Sequence, residues 1–172
     1  MSKEDETLTL AALVERAREH TRFLYDGVET PHRSCGISLA ETFGRATPPY
    51  QSLRKGGITG CGECGAIKAG ELILGEVLGD PDPTGAVTPE LRHAALRYRE
   101  LWQQNIERGD APATSIVCND LTGQFDDFRS HARHAFCTNL AAMASESLAQ
   151  TLAEVAPERR DAWAAVFQPR DE

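Results

Sequence analysis

Five cysteines, Cys35, Cys61, Cys64, Cys118 and Cys137, are the residues of this chain best equipped for chemistry. A thiolate is a soft metal ligand and a redox nucleophile. Two of the five lie in Lys55-Gly-Gly-Ile-Thr-Gly-Cys-Gly-Glu-Cys-Gly-Ala-Ile-Lys-Ala-Gly70, directly ahead of an apolar run. Glycine at that density lets backbone come close to whatever the sulfurs hold, above all at Gly57, Gly60 and Gly65. Cys61-Gly-Glu-Cys64 has the C-x-x-C spacing of a redox dithiol and of a metal-ligand pair. Taken singly, Cys118 and Cys137 have the alternative reading of small buried hydrophobes.

Histidine adds two further candidates. His131, His134 and Cys137 follow i, i+3, i+6 spacing, so His134 and Cys137 can address one metal from a single helix face. The plainer reading makes both histidines surface residues beside Arg129 and Arg133. His32, three residues ahead of Cys35, is a loop residue with the chemistry of a metal ligand or proton relay. His20 and His93 read as ordinary helix residues.

The elements that must position these side chains are helical. Residues 1–7 read as a solvated, flexible tail. Helical spacing of Leu10, Leu13, Val14, Ala17, Thr21, Leu24 and Tyr25 predicts a first helix over residues 8–25, stopped at Asp26-Gly27, with Thr21 the one polar member of the stripe. A second helix is expected over 35–43, capped by Ser34 and ended at Gly44. Prolines and glycines between Arg45 and Gly60 demand a loop. A third helix should start near Cys61 and run to Leu78, its Gly65, Gly70 and Gly75 tolerable where a backbone or a bulky cofactor packs closely. Thr88-Pro-Glu is a strong helix start, and that fourth helix should end near Gly109 with Tyr98 and Trp102 in the core.

Farther on, Cys118 opens a short helix that Gly123 stops, and a long helix runs from Phe125 or Ser130 to Ala156, ended by Pro157. The segment 158–172 reads as loosely attached, with Trp163 and Phe167 adding a turn or two. No alternating β pattern and no internal repeat is present. The expectation is an all-α single domain spanning 1–172, a bundle of five to six helices with a Gly-rich cysteine loop.

Composition narrows the class. With 172 residues and 41% hydrophobic content the chain is long enough for a real core. A net charge of −8 argues against nucleic acid and anionic membranes as partners. No apolar run approaches the ~20 residues of a membrane span, and the acidic N-terminus lacks a signal-peptide pattern, which points to the cytoplasm. Thiols there stay mostly reduced, and an odd count of five suits metal binding or transient redox chemistry better than structural bridges. Cys35, Cys61, Cys64 and Cys118 all fall near helix starts, where free amides and the helix dipole should favour the thiolate.

The cysteine pattern resembles the redox-active protein family named for the signature C…GCAxxG…C…C, a domain shared with the iron–sulfur part of split-Soret cytochromes. The matching residues are Cys35-Gly36, Gly56-Gly57, Cys64-Gly-Ala-Ile-Lys-Ala-Gly-Glu-Leu-Ile-Leu-Gly75, Ile116-Val-Cys118-Asn-Asp-Leu-Thr-Gly123 and Cys137. Together they cover roughly residues 30–145. The chain departs from the family in its centre. In the Cys64 register Ala69 precedes the closing Gly70, and the alternative register, Gly60-Cys61-Gly-Glu-Cys-Gly65, has Gly62 in place of alanine. One cysteine of the pair is therefore extra. The resemblance implies a helical fold, redox activity and cluster binding, and does not indicate a substrate.

The leading expectation is a redox-active protein holding an iron–sulfur cluster through Cys35, Cys64, Cys118 and Cys137, with Cys61 as a fifth or alternate thiol. It would act in electron transfer or redox sensing with a redox partner protein. The first alternative is a thiol–disulfide oxidoreductase using Cys61 and Cys64 as its catalytic pair. The second is a structural or regulatory zinc site of four cysteines, or of three and a histidine. Helical faces rich in glycine and alanine leave a homodimer open.

Overall fold

The computed structural model describes residues 9–112 and 114–164. Seven α-helices account for most of them: α1 (Leu10–Asp26), α2 (Gly36–Thr42), α3 (Gly65–Leu78), α4 (Pro89–Asn105), α5 (Cys118–Thr122), α6 (His131–Val155) and α7 (Arg160–Ala164). Among the described residues there is no strand, only an isolated antiparallel bridge between Glu63 and Val117. The fold is all-α, as the periodicity predicts. The tail 1–7 and Phe167 lie outside the described residues.

Most helix ends obey local chemistry. Thr9, Thr88 and Ser130 cap α1, α4 and α6 by accepting hydrogen bonds from the amides of Ala12, Leu91 and Arg133. Gly27, at φ 71°, ends α1 in the left-handed conformation. Five expectations need correction. Helix α3 starts at Gly65 rather than near Cys61, because the Gly60 and Gly62 carbonyls are engaged by the amides of Asn119 and Cys118. The 45–60 loop contains a 3₁₀ segment, Pro48–Leu53, begun by two prolines whose fixed φ suits a first turn. Helix α2 starts at Gly36, with Cys35 as its N-cap at φ 47°, and Ser34 Oγ is buried without a hydrogen-bond partner. Helix α4 ends at Asn105, where Ile106 turns extended and buries its side chain.

The fifth concerns the C-terminal segment, which over 158–164 is packed rather than loosely attached. Trp163 is only 1% exposed, and Arg159 bonds the Val77 carbonyl at 2.8 Å. A tryptophan buried to that degree removes more apolar surface from water than most core residues, on the order of 2–3 kcal/mol.

Helix α6 is the central element: α1 lies along it most extensively, and α2, α3 and α4 all reach it. The core joins Leu13 and Ala17 of α1, Ile67, Ile73 and Leu74 of α3, Tyr98 of α4, and Leu148 and Leu152 of α6. Thr21 is buried because its hydroxyl is satisfied, lying 2.8 Å from both the Thr42 and Ser145 hydroxyls, while Ser145 donates to the Ala17 carbonyl. Tyr98 is core, as its stripe predicts, and its hydroxyl donates to the Ile67 carbonyl at 3.0 Å. No helix among the described residues is long and apolar enough to cross a membrane.

Candidate thiol-lined centre

Cys35, Cys64, Cys118 and Cys137 line one cavity, together with Tyr25, Gly65, Ala66, Leu121, Thr122, Phe136 and Leu140. Three helix starts and one helix face deliver them. Cys35 and Cys64 are the N-caps of α2 and α3, Cys118 is the first residue of α5, and Cys137 lies in the second turn of α6. The segments carrying Cys64 and Cys118 are stitched by the Glu63–Val117 bridge. The Cys64 amide donates to the Ile116 carbonyl at 2.7 Å and the Cys118 amide to the Gly62 carbonyl at 2.9 Å. Gly65 permits the approach of α2: a β-carbon there would meet the Leu53 carbonyl oxygen at 2.1 Å and the Cys35 β-carbon at 3.1 Å.

The cavity measures about 30 Å³. That exceeds the ~10–15 Å³ one water needs, yet its walls are apolar side chains and sulfur, poor partners for water. All five cysteines are free thiols. Cys118 is buried, Cys35, Cys64 and Cys137 are half-buried, and Cys61 is exposed.

Their ionisation runs against the expectation from helix starts. Burial pushes the Cys118 thiol up to about 11, and the negative charges that Cys35 and Cys137 would carry add to the shift. Burial likewise raises Cys35, Cys64 and Cys137. Desolvation therefore outweighs the helix amides, although the amides of Ala66 and Ile67 favour the Cys64 thiolate, as the Lys55 amide does that of Cys35. Arg133 and Tyr25 do the same for Cys137, and Thr122 for Cys118. Cys35 acts on Cys64 and Cys118, and Cys137 acts on all three, so ionisation of one opposes that of its neighbours.

The remaining candidates fall outside the cavity wall. Cys61 points away, its sulfur 3.8 Å from the Thr59 carbonyl and 4.0 Å from the Asn119 amide nitrogen. Gly60 packs on Asn119, where a β-carbon would lie 2.1 Å from its side-chain oxygen. Gly57 has open space around it. Of the three glycines, only Gly65 borders the cavity. His134 Nε2 lies 2.9 Å from the Asp26 carbonyl oxygen, His32 Nδ1 bonds the Tyr25 carbonyl, and their rings are 5.3 Å apart. The two histidines thus pair behind Tyr25, and His131 is exposed.

Tyr25, Arg133 and Thr122 are the site residues that sequence reading passed over. Arg133 and Thr122 each stand four residues from a cysteine, a spacing that puts them on the same helix face. Tyr25 carried no such signal beyond its place at the end of α1.

Among the described residues, no group of three or more His, Cys, Asp or Glu side chains gathers as a single metal ion requires. The arrangement is instead four sulfurs distributed around a cavity. Fold and centre together define an all-α protein with a buried tetra-thiol cavity. Compared with known proteins, the chain matches no family model, and no curated protein or solved structure is similar to it.

Proposed function

We propose that this protein binds an iron–sulfur cluster through Cys35, Cys64, Cys118 and Cys137 and serves electron transfer or redox sensing. The observation that carries this reading is the meeting of four thiols, separated by up to a hundred residues of chain, on one apolar cavity. The donor set fits the group: clusters are held by cysteine thiolates, and their potentials respond to hydrogen bonds at sulfur and to solvent exposure. When bound, a cluster supplies reversible one-electron chemistry. The chain's own residues then hold the four sulfurs, keep water from them with Leu121, Phe136 and Leu140, and direct donors at individual sulfurs. The likeness of the cysteine pattern to the C…GCAxxG…C…C family agrees with this reading.

Spreading the sulfurs around a cavity favours a polynuclear centre over the zinc alternative, which asks for four donors at one point. The dithiol alternative draws on the exposure of Cys61 beside Cys64. The high ionisation point of buried Cys64 counts against it, because thiol exchange runs through the thiolate.

The test is an anaerobic absorption spectrum with iron, acid-labile sulfide and zinc measured on the as-isolated protein. Visible absorbance with iron and sulfide is expected. It should be lost in Cys35→Ser, Cys64→Ser, Cys118→Ser and Cys137→Ser and kept in Cys61→Ser. A colourless protein free of iron and sulfide refutes the cluster. Dithiol turnover abolished by Cys61→Ser would replace it with the oxidoreductase reading.

A further inference from the structure

The geometry points to the face built by the 54–62 loop and the 125–133 segment as the docking site for the acidic surface of a one-electron carrier protein. This rests on the redox reading above and names the partner of that same centre.

The face lies directly outside the cysteines. Lys55 places its amide on Cys35, and Gly56 lies against the Cys118 side chain. Among the described residues, Cys35, Lys55 and Ile58 are the non-glycine positions with positive φ, at 47°, 50° and 70°. All three belong to this centre or its cover. Such conformations persist where the surrounding structure imposes them, and they concentrate at functional sites. Ile58 is a β-branched side chain held at φ 70° with 61% of its surface exposed, and Phe128 is 40% exposed.

Cations frame these apolar groups. Lys55 Nζ lies 5.0 Å from the centroid of the Phe128 ring, and the Arg133 guanidinium lies 4.2 Å from it. Arg133 also bonds the Phe128 carbonyl and reaches the Cys137 sulfur, and Arg54 bonds Gln51. Arg129 lies on the same segment. The carboxylates there are Asp126 and Asp127, and Asp127 is turned back onto the Arg129 amide. Glu63, at the end of the loop, is paired with Lys68 at 3.1 Å. Arg54, Lys55, Arg129 and Arg133 against Asp126 and Asp127 give this face a positive balance on a chain whose net charge is −8.

An apolar centre with aromatic and arginine groups inside a charged rim is the composition of a protein interface. A small one suits transient electron-transfer encounters. Positive charge concentrated at the redox centre of an acidic protein would orient an acidic carrier there and repel it from other faces.

The test is calorimetric titration of the as-isolated protein with oxidised plant-type ferredoxin, an acidic one-electron carrier, with iron and sulfide measured on the same sample. Binding at 20 mM NaCl should weaken at least tenfold at 300 mM NaCl. Ile58→Asp and Arg54→Glu should each weaken it at least fivefold. Arg92→Glu, exposed near the start of α4, where Thr88 bonds the Leu78 carbonyl at the end of α3 opposite Cys64, should leave it unchanged. Absence of binding, or affinity unchanged in both face variants, overturns the proposal. So does salt-sensitive binding to a DNA duplex in its place. A sample without iron and sulfide refutes the cluster reading alone, since the titration still reports on the face.

Discussion

Gly56 and Cys118 meet so closely that a β-carbon on Gly56 would lie 2.5 Å from the Cys118 β-carbon and 2.5 Å from the Gly62 carbonyl oxygen. Gly56 also sits at φ 58°, which L side chains rarely adopt. Gly56→Ala should therefore lift the loop off Cys118. Unfolding in urea should show a loss of about 1–3 kcal/mol, and under the proposed cluster reading bound iron per chain should fall. Wild-type iron content and stability in this variant would mean that the loop does not set the position of Cys118.

Alkylation separates the five thiols. With iodoacetamide at pH 8 on the metal-free folded protein, Cys61 should react first, being exposed. Cys35, Cys64, Cys118 and Cys137 should react more slowly, because burial holds them in the unreactive thiol form. Peptide mass mapping over time reads the order. Labelling of Cys64 or Cys118 as fast as Cys61 would contradict it.

Alkaline pH should destabilise the metal-free fold. The Cys118 thiol titrates near 11 when folded, against 9.0 for an ordinary thiol. Between those values the unfolded chain has lost a proton that the folded chain still holds, so stability falls as pH rises. The contribution is complete below pH 9 and gone above about 11. Two pH units correspond to about 2–3 kcal/mol. Melting temperatures from pH 8 to 11 should decline, and Cys118→Ala should decline less steeply. Equal slopes would remove Cys118 from the account.

Under the proposed cluster reading, loading should show the same protonation from the other side. The buried thiols are raised in the metal-free state and must ionise to ligate, so loading should release protons at neutral pH and weaken as pH falls. Calorimetric loading in buffers of different ionisation enthalpy counts those protons. A count near zero would exclude thiolate ligation.

Gly70 offers a test of packing remote from the cysteines. A β-carbon there would lie 2.2 Å from the Tyr98 hydroxyl oxygen and 2.3 Å from the ring carbon that bears it. Tyr98 is fully buried and tied to the Ile67 carbonyl, so it has little freedom to yield. Gly70→Ala should cost about 1–3 kcal/mol despite its better helix propensity. A gain in stability would show that the ring can move aside.

Local patterns in the chain determined the helical class, the cap at Thr88, the stop at Gly27 and the placement of Cys118 at a helix start, because each depends on residues within a few positions. The preference for Cys64 over Cys61 came from the register of the family resemblance, and periodicity alone does not say that four cysteines share a cavity. Only the tertiary structure decided that, by bringing the starts of α2, α3 and α5 to one cavity beside α6. It decided as well that Gly70 serves Tyr98 and not a cofactor, that Trp163 belongs to the core, and that His32 and His134 face each other behind Tyr25. The ionisation of the thiols is the clearest case. A helix start favours a thiolate by local dipoles visible in sequence, whereas burial opposes it through surroundings that distant segments supply, and burial is the larger effect.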